Sequence, residues 1–248
     1  MLELPPSLLI PPIAHRGLHG ADIPENSPAA FAATFARGYG IELDVQMSSD
    51  GEAMVFHDYE LSRLTAEKGP FRQRTAAELG AISLANGEGI PTLEAVLKLV
   101  SGQVGVLVEI KDQDGALGDD LGPLETRVAE ILNAYQGQIG VMSLNPHAMY
   151  LLQKMAPNVP RGLVTSPFSP EHWPLVPRKR ADELADIPDF EACGACFISQ
   201  QFQALDMPAV NRIRQGGDPV LSWTIRSEED EHEARRLADN ITFEGYLP

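Results

Sequence analysis

The chain has 248 residues, 44% of them hydrophobic and 22% charged, a balance that supports a large core and excludes disordered and fibrous architectures. Its formal charge of −16, from 19 Lys and Arg against 35 Asp and Glu, excludes nucleic acid as an expected partner, because a phosphate backbone would be repelled and no basic run exceeds Arg178-Lys179-Arg180. An acidic protein acting on an anionic substrate therefore needs a bound cation or a few placed basic side chains.

At the N-terminus, Met1-Leu2-Glu3-Leu4 brings no basic stretch ahead of Leu8-Leu9-Ile10, and Pro11-Pro12 interrupts any helix, so no signal peptide is expected. No run of 18 apolar residues follows, so no membrane span is expected either, and the two cysteines, Cys193 and Cys196, are too few for a secreted disulfide framework. Cytoplasm is the expected location. Apolar, β-rich runs then recur at 12–14, 40–46, 104–111, 139–143, 162–165, 196–199, 220–225 and 241–243. Helix-like segments separate them. Ser27-Pro28 pairs an N-cap with Pro at the first helical position, and the run 29–37 ends at Gly38; Thr92, Asn145-Pro146 and Ser227-Glu228-Glu229-Asp230 supply further starts. Eight strands alternating with helices predict an α/β fold, a parallel TIM (β/α)8 barrel, as one domain over 1–248.

Two stretches break this rhythm. Residues 58–91 are too long for a simple loop between the second and third strands and are expected to form a small insertion or lid over the barrel mouth. Residues 166–194 hold five prolines and read as an irregular loop with a short helix near 181–185.

Ionised side chains inside a strand covered on both faces are costly unless they are paired or bind a metal. In Ile41-Glu42-Leu43-Asp44-Val45 the carboxylates lie two residues apart, on the same side of the strand. Two like charges so placed favour a shared proton or a cation between them. In Val108-Glu109-Ile110-Lys111 the same spacing sets Glu109 and Lys111 on one side of the next strand. Glu42, Asp44 and Glu109 can thus converge as an all-oxygen set suited to Mg²⁺ or Ca²⁺. The alternative is internal pairing of Glu109 with Lys111 and of Glu42 with Arg16, which explains two charges better than five.

His15-Arg16-Gly17 falls where the first strand ends, at the face where barrels place their active sites. Gly17 there lets backbone approach a ligand, and Arg16 offers a planar fork to a phosphate oxygen. Val55-Phe56-His57-Asp58 supplies a second histidine just after the carboxylate strand. Asn26 is either a cap or a substrate contact, the latter favoured, and Trp223 at a strand end either lines the pocket or packs. Cys193-Gly194-Ala195-Cys196 has redox-motif spacing but leads into a strand instead of a helix, so it is set aside. His19, His147, His172 and His232 read as surface or capping residues, with His19 closest to the catalytic loop.

These residues, in order, carry a family resemblance. His15-Arg16-Gly17, Pro24-Glu25-Asn26-Ser27, Ile41-Glu42-Leu43-Asp44-Val45, Asp50-Gly51, Phe56-His57-Asp58, Leu61-Ser62-Arg63-Leu64-Thr65, Pro91-Thr92-Leu93, Glu109-Ile110-Lys111, Trp223-Thr224-Ile225 and the closing 241–248 segment resemble the signature of glycerophosphodiester phosphodiesterases. The resemblance implies a barrel of the phospholipase C-like phosphodiesterase type in which Glu42, Asp44 and Glu109 hold a divalent metal. It implies that His15 and His57 exchange protons, with Arg16 and Lys111 on the phosphate. It also implies a small-molecule glycerophosphodiester substrate, whose own glycerol hydroxyl attacks to give a cyclic phosphate that water opens, releasing glycerol 3-phosphate and an alcohol. Ser27 stands where Thr is usual in the family, and Gln46-Met47-Ser48-Ser49 replaces a more polar turn, departures that bear on substrate preference. The competing expectations are a related phosphodiesterase acting on lysophospholipids or another phosphodiester, and a catalytically silent ligand-binding barrel.

Overall fold

Nine strands succeed one another in the computed structural model, which describes residues 2–113 and 115–248: β1 (Ile13–Ala14), β2 (Gly40–Met47), β3 (Ala53–Val55), β4 (Val106–Ile110), β5 (Ile139–Ser143), β6 (Arg161–Thr165), β7 (Phe197–Gln201), β8 (Val220–Ile225) and β9 (Asn240–Phe243). Met1, part of the N-terminal reading above, lies outside the described residues. All strands but β3 are parallel, and β1 pairs with both β2 and β9, so the sheet closes into an eight-stranded barrel. β3 pairs antiparallel with the far end of β2, Val45 opposite Val55 and Met47 opposite Ala53. The helices are α1 (Pro28–Phe35), α2 (Ala76–Ala81), α3 (Leu93–Val100), α4 (Pro123–Ala134), α5 (Pro146–Met155), α6 (Arg178–Ala185), α7 (Pro208–Gly216) and α8 (Glu228–Ala234).

The period of two in each strand sorts its side chains. Ile41, Leu43 and Val45 of β2 and Val106, Val108 and Ile110 of β4 belong to the large apolar layer shared with the helices, while the alternate residues face the barrel interior. That interior has two storeys. Its floor is apolar: Leu4 and Leu8, from the chain ahead of β1, plug it together with Ile13, Leu107, Met142, Val164, Phe197 and Leu221. Gly162 makes this possible, since a Cβ there would lie 2.5 Å from the Phe197 ring. Asn240 holds the plug, donating from Nδ2 to the carbonyls of Leu8 and Pro11. The storey above is polar and opens at the strands' C-terminal ends.

The helix starts follow the expected chemistry. Ser27, Thr92, Asn145 and Ser227 each accept a hydrogen bond from a first-turn amide, at Ala30, Ala95, His147 and Asp230. α6 begins three residues earlier than the expected 181, where Arg178 pairs with Asp182 one turn on. The 58–91 stretch is not a plain loop. It holds the turn Phe71–Gln73 and α2, capped by Thr75 with Glu78 completing the capping box, around a small core of Met54, Phe56, Leu61, Phe71, Leu79, Leu84 and Ile90. The proline-rich segment likewise packs Phe168, Val176, Ala181 and Leu184 on Leu117. Among the described residues no helix is long and apolar enough to cross a membrane.

Candidate active site

The polar storey is built on β2 and β4. Their register sets Asp44 directly beside Glu109, and Glu42 lies one inward-facing position below Asp44. All three carboxylates are buried, and one oxygen from each lies within 4.8 Å of the others. Burial, then the charges of Asp44 and Glu109, push the Glu42 carboxyl well above the usual carboxylate range. Asp44 goes the other way: burial alone would raise it, but Lys111, His57, Arg16 and His15 together hold it well below that range. Lys111 Nζ donates to Glu109 Oε1 at 2.9 Å and lies 3.4 Å from Asp44 Oδ1. The expected alternative of internal pairing is therefore half present. Glu42 Oε2 accepts from the backbone N–H of Arg16 at 3.0 Å, and its other oxygen is buried without a hydrogen-bond partner among the described residues.

An orphaned carboxylate oxygen beside two more carboxylates fits a hard divalent cation, whose charge would repay that desolvation. The wider charge balance agrees. Of six carboxylates here, those of Glu25, Asp44, Asp58, Glu109 and Glu244 are paired with four cations, Arg16, Arg63, Lys111 and Arg226, and among the described residues Glu42 forms an ion pair with none of the four.

The two histidines flank this floor, each anchored the same way. His15, just past β1, has Nδ1 2.5 Å from Glu244 Oε2, and Glu244 Oε1 accepts from Arg226 at 2.8 Å. His57 has Nδ1 2.7 Å from Asp58 Oδ1, and Asp58 in turn accepts from Arg63. In each ring Nε2 is left for other work, and that of His15 lies 4.0 Å from Glu42 Oε2. Burial lowers the His15 pKa below its ordinary value, although Glu244 pulls the other way. The hydrogen bond from His15 in turn holds Glu244 far below the carboxylate range.

A further layer braces both loops. Glu25 accepts from Arg16 Nη1 and from both terminal nitrogens of Arg63, tying the His15 loop to the His57 loop. Asn26 donates from Nδ2 to Asp44 Oδ2 at 2.9 Å. Gln46, buried at the end of β2, donates from Nε2 to the carbonyls of Phe56 and Asp58, on either side of His57. Gly17 serves differently from the sequence expectation: its φ is +78° and a Cβ would lie 2.9 Å from Ala30, so it admits α1 against the loop instead of a ligand.

These groups open into one cavity of about 610 Å³, lined by His15, Arg16, Glu42, Asp44, His57, Glu109, Lys111 and Trp223. Every expected site residue except Asn26 lines it, and Asn26 stands behind Asp44. Trp223 donates from Nε1 to the Ser199 carbonyl and lines the cavity together with Met142, Leu144, Val164 and Trp173. Glu25, Arg63 and Glu244 fall within the motifs that carry the resemblance, and Gln46 in the turn that departs from it, but the sequence assigns none of the four a site role. For Glu244 a signal existed: it directly follows the last barrel strand, at the catalytic face. The two cysteines are both buried and unbridged, away from the cavity, and burial pushes the Cys193 thiol up to about 11.

Fold and cavity together define a phosphodiester hydrolase of the barrel type. The model of the Glycerophosphoryl diester phosphodiesterase family matches residues 15–240, and the chain belongs to that family. It is 32% identical over 229 residues to the glycerophosphodiester phosphodiesterase of Caldanaerobacter subterraneus subsp. tengcongensis, covering 88% of this chain and 86% of the relative. It is 28% identical to glycerophosphodiester phosphodiesterase 1 of Bos taurus, over 93% of this chain and 76% of that protein. Among solved structures, an Oleispira antarctica phosphodiesterase in complex with the product sn-glycerol-3-phosphate superposes with a TM-score of 0.78, at 24% identity, over 96% of this chain and 94% of the other.

Proposed function

We propose that this protein hydrolyses glycerophosphodiesters to glycerol 3-phosphate and an alcohol, using a divalent cation, Mg²⁺ or Ca²⁺, held by Glu42, Asp44 and Glu109. The observation that carries the reading is the convergence of two carboxylate-anchored histidines on a buried carboxylate set with an orphaned oxygen, in one cavity. The product held by the Oleispira antarctica relative supports the choice of substrate. When bound, the cation supplies charge neutralisation for the phosphoryl oxygens.

The chain's own side chains do the rest. His15, kept neutral by burial and fixed through Nδ1, takes the proton of the attacking glycerol hydroxyl at Nε2. The new P–O bond closes a cyclic phosphate as the bond to the alcohol breaks, and His57 gives that alkoxide its proton. Water then opens the ring with the two roles exchanged. Arg16 and Lys111 stabilise charge on the phosphate. Asn26 holds Asp44 in place, and Trp223 presents an apolar surface to the substrate carbons.

The chain acts as one barrel domain, with 58–91 as a lid, a reading supported by Tyr59 and Glu60, which line the cavity from that segment. The apolar wall of Met142, Leu144, Val164 and Trp173 favours a second reading in which lysophospholipids are also accepted. A hydrolysis panel over glycerophosphocholine, glycerophosphoethanolamine, glycerophosphoinositol and lysophosphatidylcholine tests both. Turnover of the first three supports the main reading, turnover of the last alone replaces it, and no turnover leaves a binding barrel.

A further inference from the structure

Behind His15, on the side away from the main cavity, a second opening of about 400 Å³ runs between the loop after β1 and the residues after β9. His19 and Glu244 both line it. His19 brings its Nε2 to 3.7 Å from Glu244 Oε2, the oxygen that also meets His15 Nδ1 at 2.5 Å. That Nε2 is buried and has no hydrogen-bond partner among the described residues. Arg226 occupies the other oxygen, Oε1, and so turns Oε2 toward the two imidazoles. One donor atom from each of His15, His19 and Glu244 lies within 4.8 Å of the others.

Two imidazoles and a carboxylate are the donor set of a three-ligand zinc site, in which bonds of about 2.0–2.2 Å place donors about 3.4 Å apart. The observed separations of 2.5 and 3.7 Å bracket that figure. The ligand class also separates this cluster from the all-carboxylate floor, since imidazole suits late first-row ions and oxygen alone suits Mg²⁺ or Ca²⁺. The neighbouring charges of Arg16 and Arg226 oppose an ion here, and Glu244 together with the net charge of −16 offsets them.

We propose that His15, His19 and Glu244 form a second metal site that takes a late first-row ion such as Zn²⁺ and so switches the enzyme off. Binding through Nδ1 requires the other neutral tautomer of His15, so the ring proton moves from Nδ1 to Nε2, and metal–ligand bonds replace the hydrogen bond to Glu244. With Nδ1 held by the ion, Nε2 already carries the ring proton and no longer takes one from the attacking hydroxyl. This inhibitory consequence rests on the role given to His15 above; the binding does not.

Co²⁺ is the probe, added to the enzyme with saturating Mg²⁺, because nitrogen-ligated tetrahedral Co²⁺ absorbs visible light strongly and oxygen-ligated six-coordinate Co²⁺ weakly. Wild type should develop the strong band at one equivalent and lose turnover in step. H19Q should show no band and need at least the about 10- to 100-fold more ion that even outer-shell losses cost, while its Mg²⁺-supported turnover, unchanged, reports a folded protein. Equal bands, or equal sensitivity, in wild type and H19Q overturn the site. A band lost in H19Q while the ion leaves wild-type turnover untouched upholds the site and removes His15 from proton transfer.

Discussion

His15 and Glu244 stand 229 positions apart in sequence and meet at 2.5 Å between Nδ1 and Oε2, across the seam where β1 closes against β9. The contact engages Nδ1 and leaves Nε2 of His15 on the side of Glu42, the nitrogen assigned to proton transfer in the proposed mechanism. Glu244→Gln should therefore lower kcat by about 10- to 100-fold, the lower end of what a misdirected acid–base group costs, with KM little changed. Steady-state kinetics on glycerophosphocholine checks this split.

The same pair sets the pH profile. Burial lowers the His15 pKa and Glu244 partly restores it, so the acid limb of kcat/KM in wild type should fall below about 6.5, the ordinary histidine value. A base must be unprotonated to act, and losing Glu244 removes a group that favours the protonated form. In Glu244→Gln the acid limb should move to still lower pH. A limb that moves up would contradict the assignment of His15 as base.

The two histidines should separate by leaving group. With glycerophosphocholine, His15→Ala and His57→Ala should each lose on the order of 10²-fold or more in turnover. With a glycerophosphodiester of an acidic nitrophenol, which departs without a proton, His57→Ala should recover most of its loss and His15→Ala none. Recovery in His15→Ala alone would exchange their roles.

Glu42 and Asp44 should respond oppositely to neutralisation in metal-free protein. Glu42 has its native pKa above its unfolded one, so it holds its proton more tightly when folded, and its ionisation costs stability as the pH rises past the unfolded value. Asp44 is the reverse: its contribution is present above the unfolded value and lost as pH falls toward its depressed native one. At neutral pH Glu42→Gln should raise Tm by a few degrees, about 2–4 °C per kcal/mol in a chain of this size. Asp44→Asn should lower stability by about 1.5–3 kcal/mol, the scale of an interaction with a charged group, since Arg16 and Lys111 each lose one carboxylate partner but keep Glu25 and Glu109. Thermal unfolding in EDTA measures both.

Gln46 offers a test of loop positioning. Gln46→Leu keeps the volume but removes both hydrogen bonds to the carbonyls flanking His57. Turnover should fall by about 10- to 100-fold, the scale on which small misplacements act, and the fall should be largest for substrates that need His57 to protonate the alcohol. Equal losses on the nitrophenol substrate would assign Gln46 to folding alone.

Much of this was legible in the chain itself, for identifiable reasons. The eight parallel strands appear within about two residues of their observed ends, because each is a short apolar run between capped helices. The carboxylate floor was legible because a period of two fixes the facing of Glu42, Asp44 and Glu109 without tertiary knowledge. β3 read only as an apolar run before His57, since its partner is the tail of β2 and its antiparallel pairing leaves no periodic mark. The order within 58–91 was hidden because it rests on isolated bridges such as Thr65 to Leu84 and on seven scattered apolar residues. The bracing roles of Glu244, Glu25 and Arg63 are not legible in the motifs that contain them, for a common reason: each acts by contact with a loop far away in sequence, and only closure of the barrel brings those loops together. His19, set aside as a surface residue, joins His15 at Glu244 through the same closure.

Phosphorus NMR of glycerophosphocholine hydrolysis, run with Mg²⁺ or Ca²⁺, after EDTA, and after restoring the ion, reads both the bond cleaved and the need for the cation. Glycerol 3-phosphate is the expected phosphorus product, its formation stopped by the chelator and restored by the ion, and absent in Glu42→Gln. Phosphocholine as the product, or turnover that survives chelation, would contradict the proposed function.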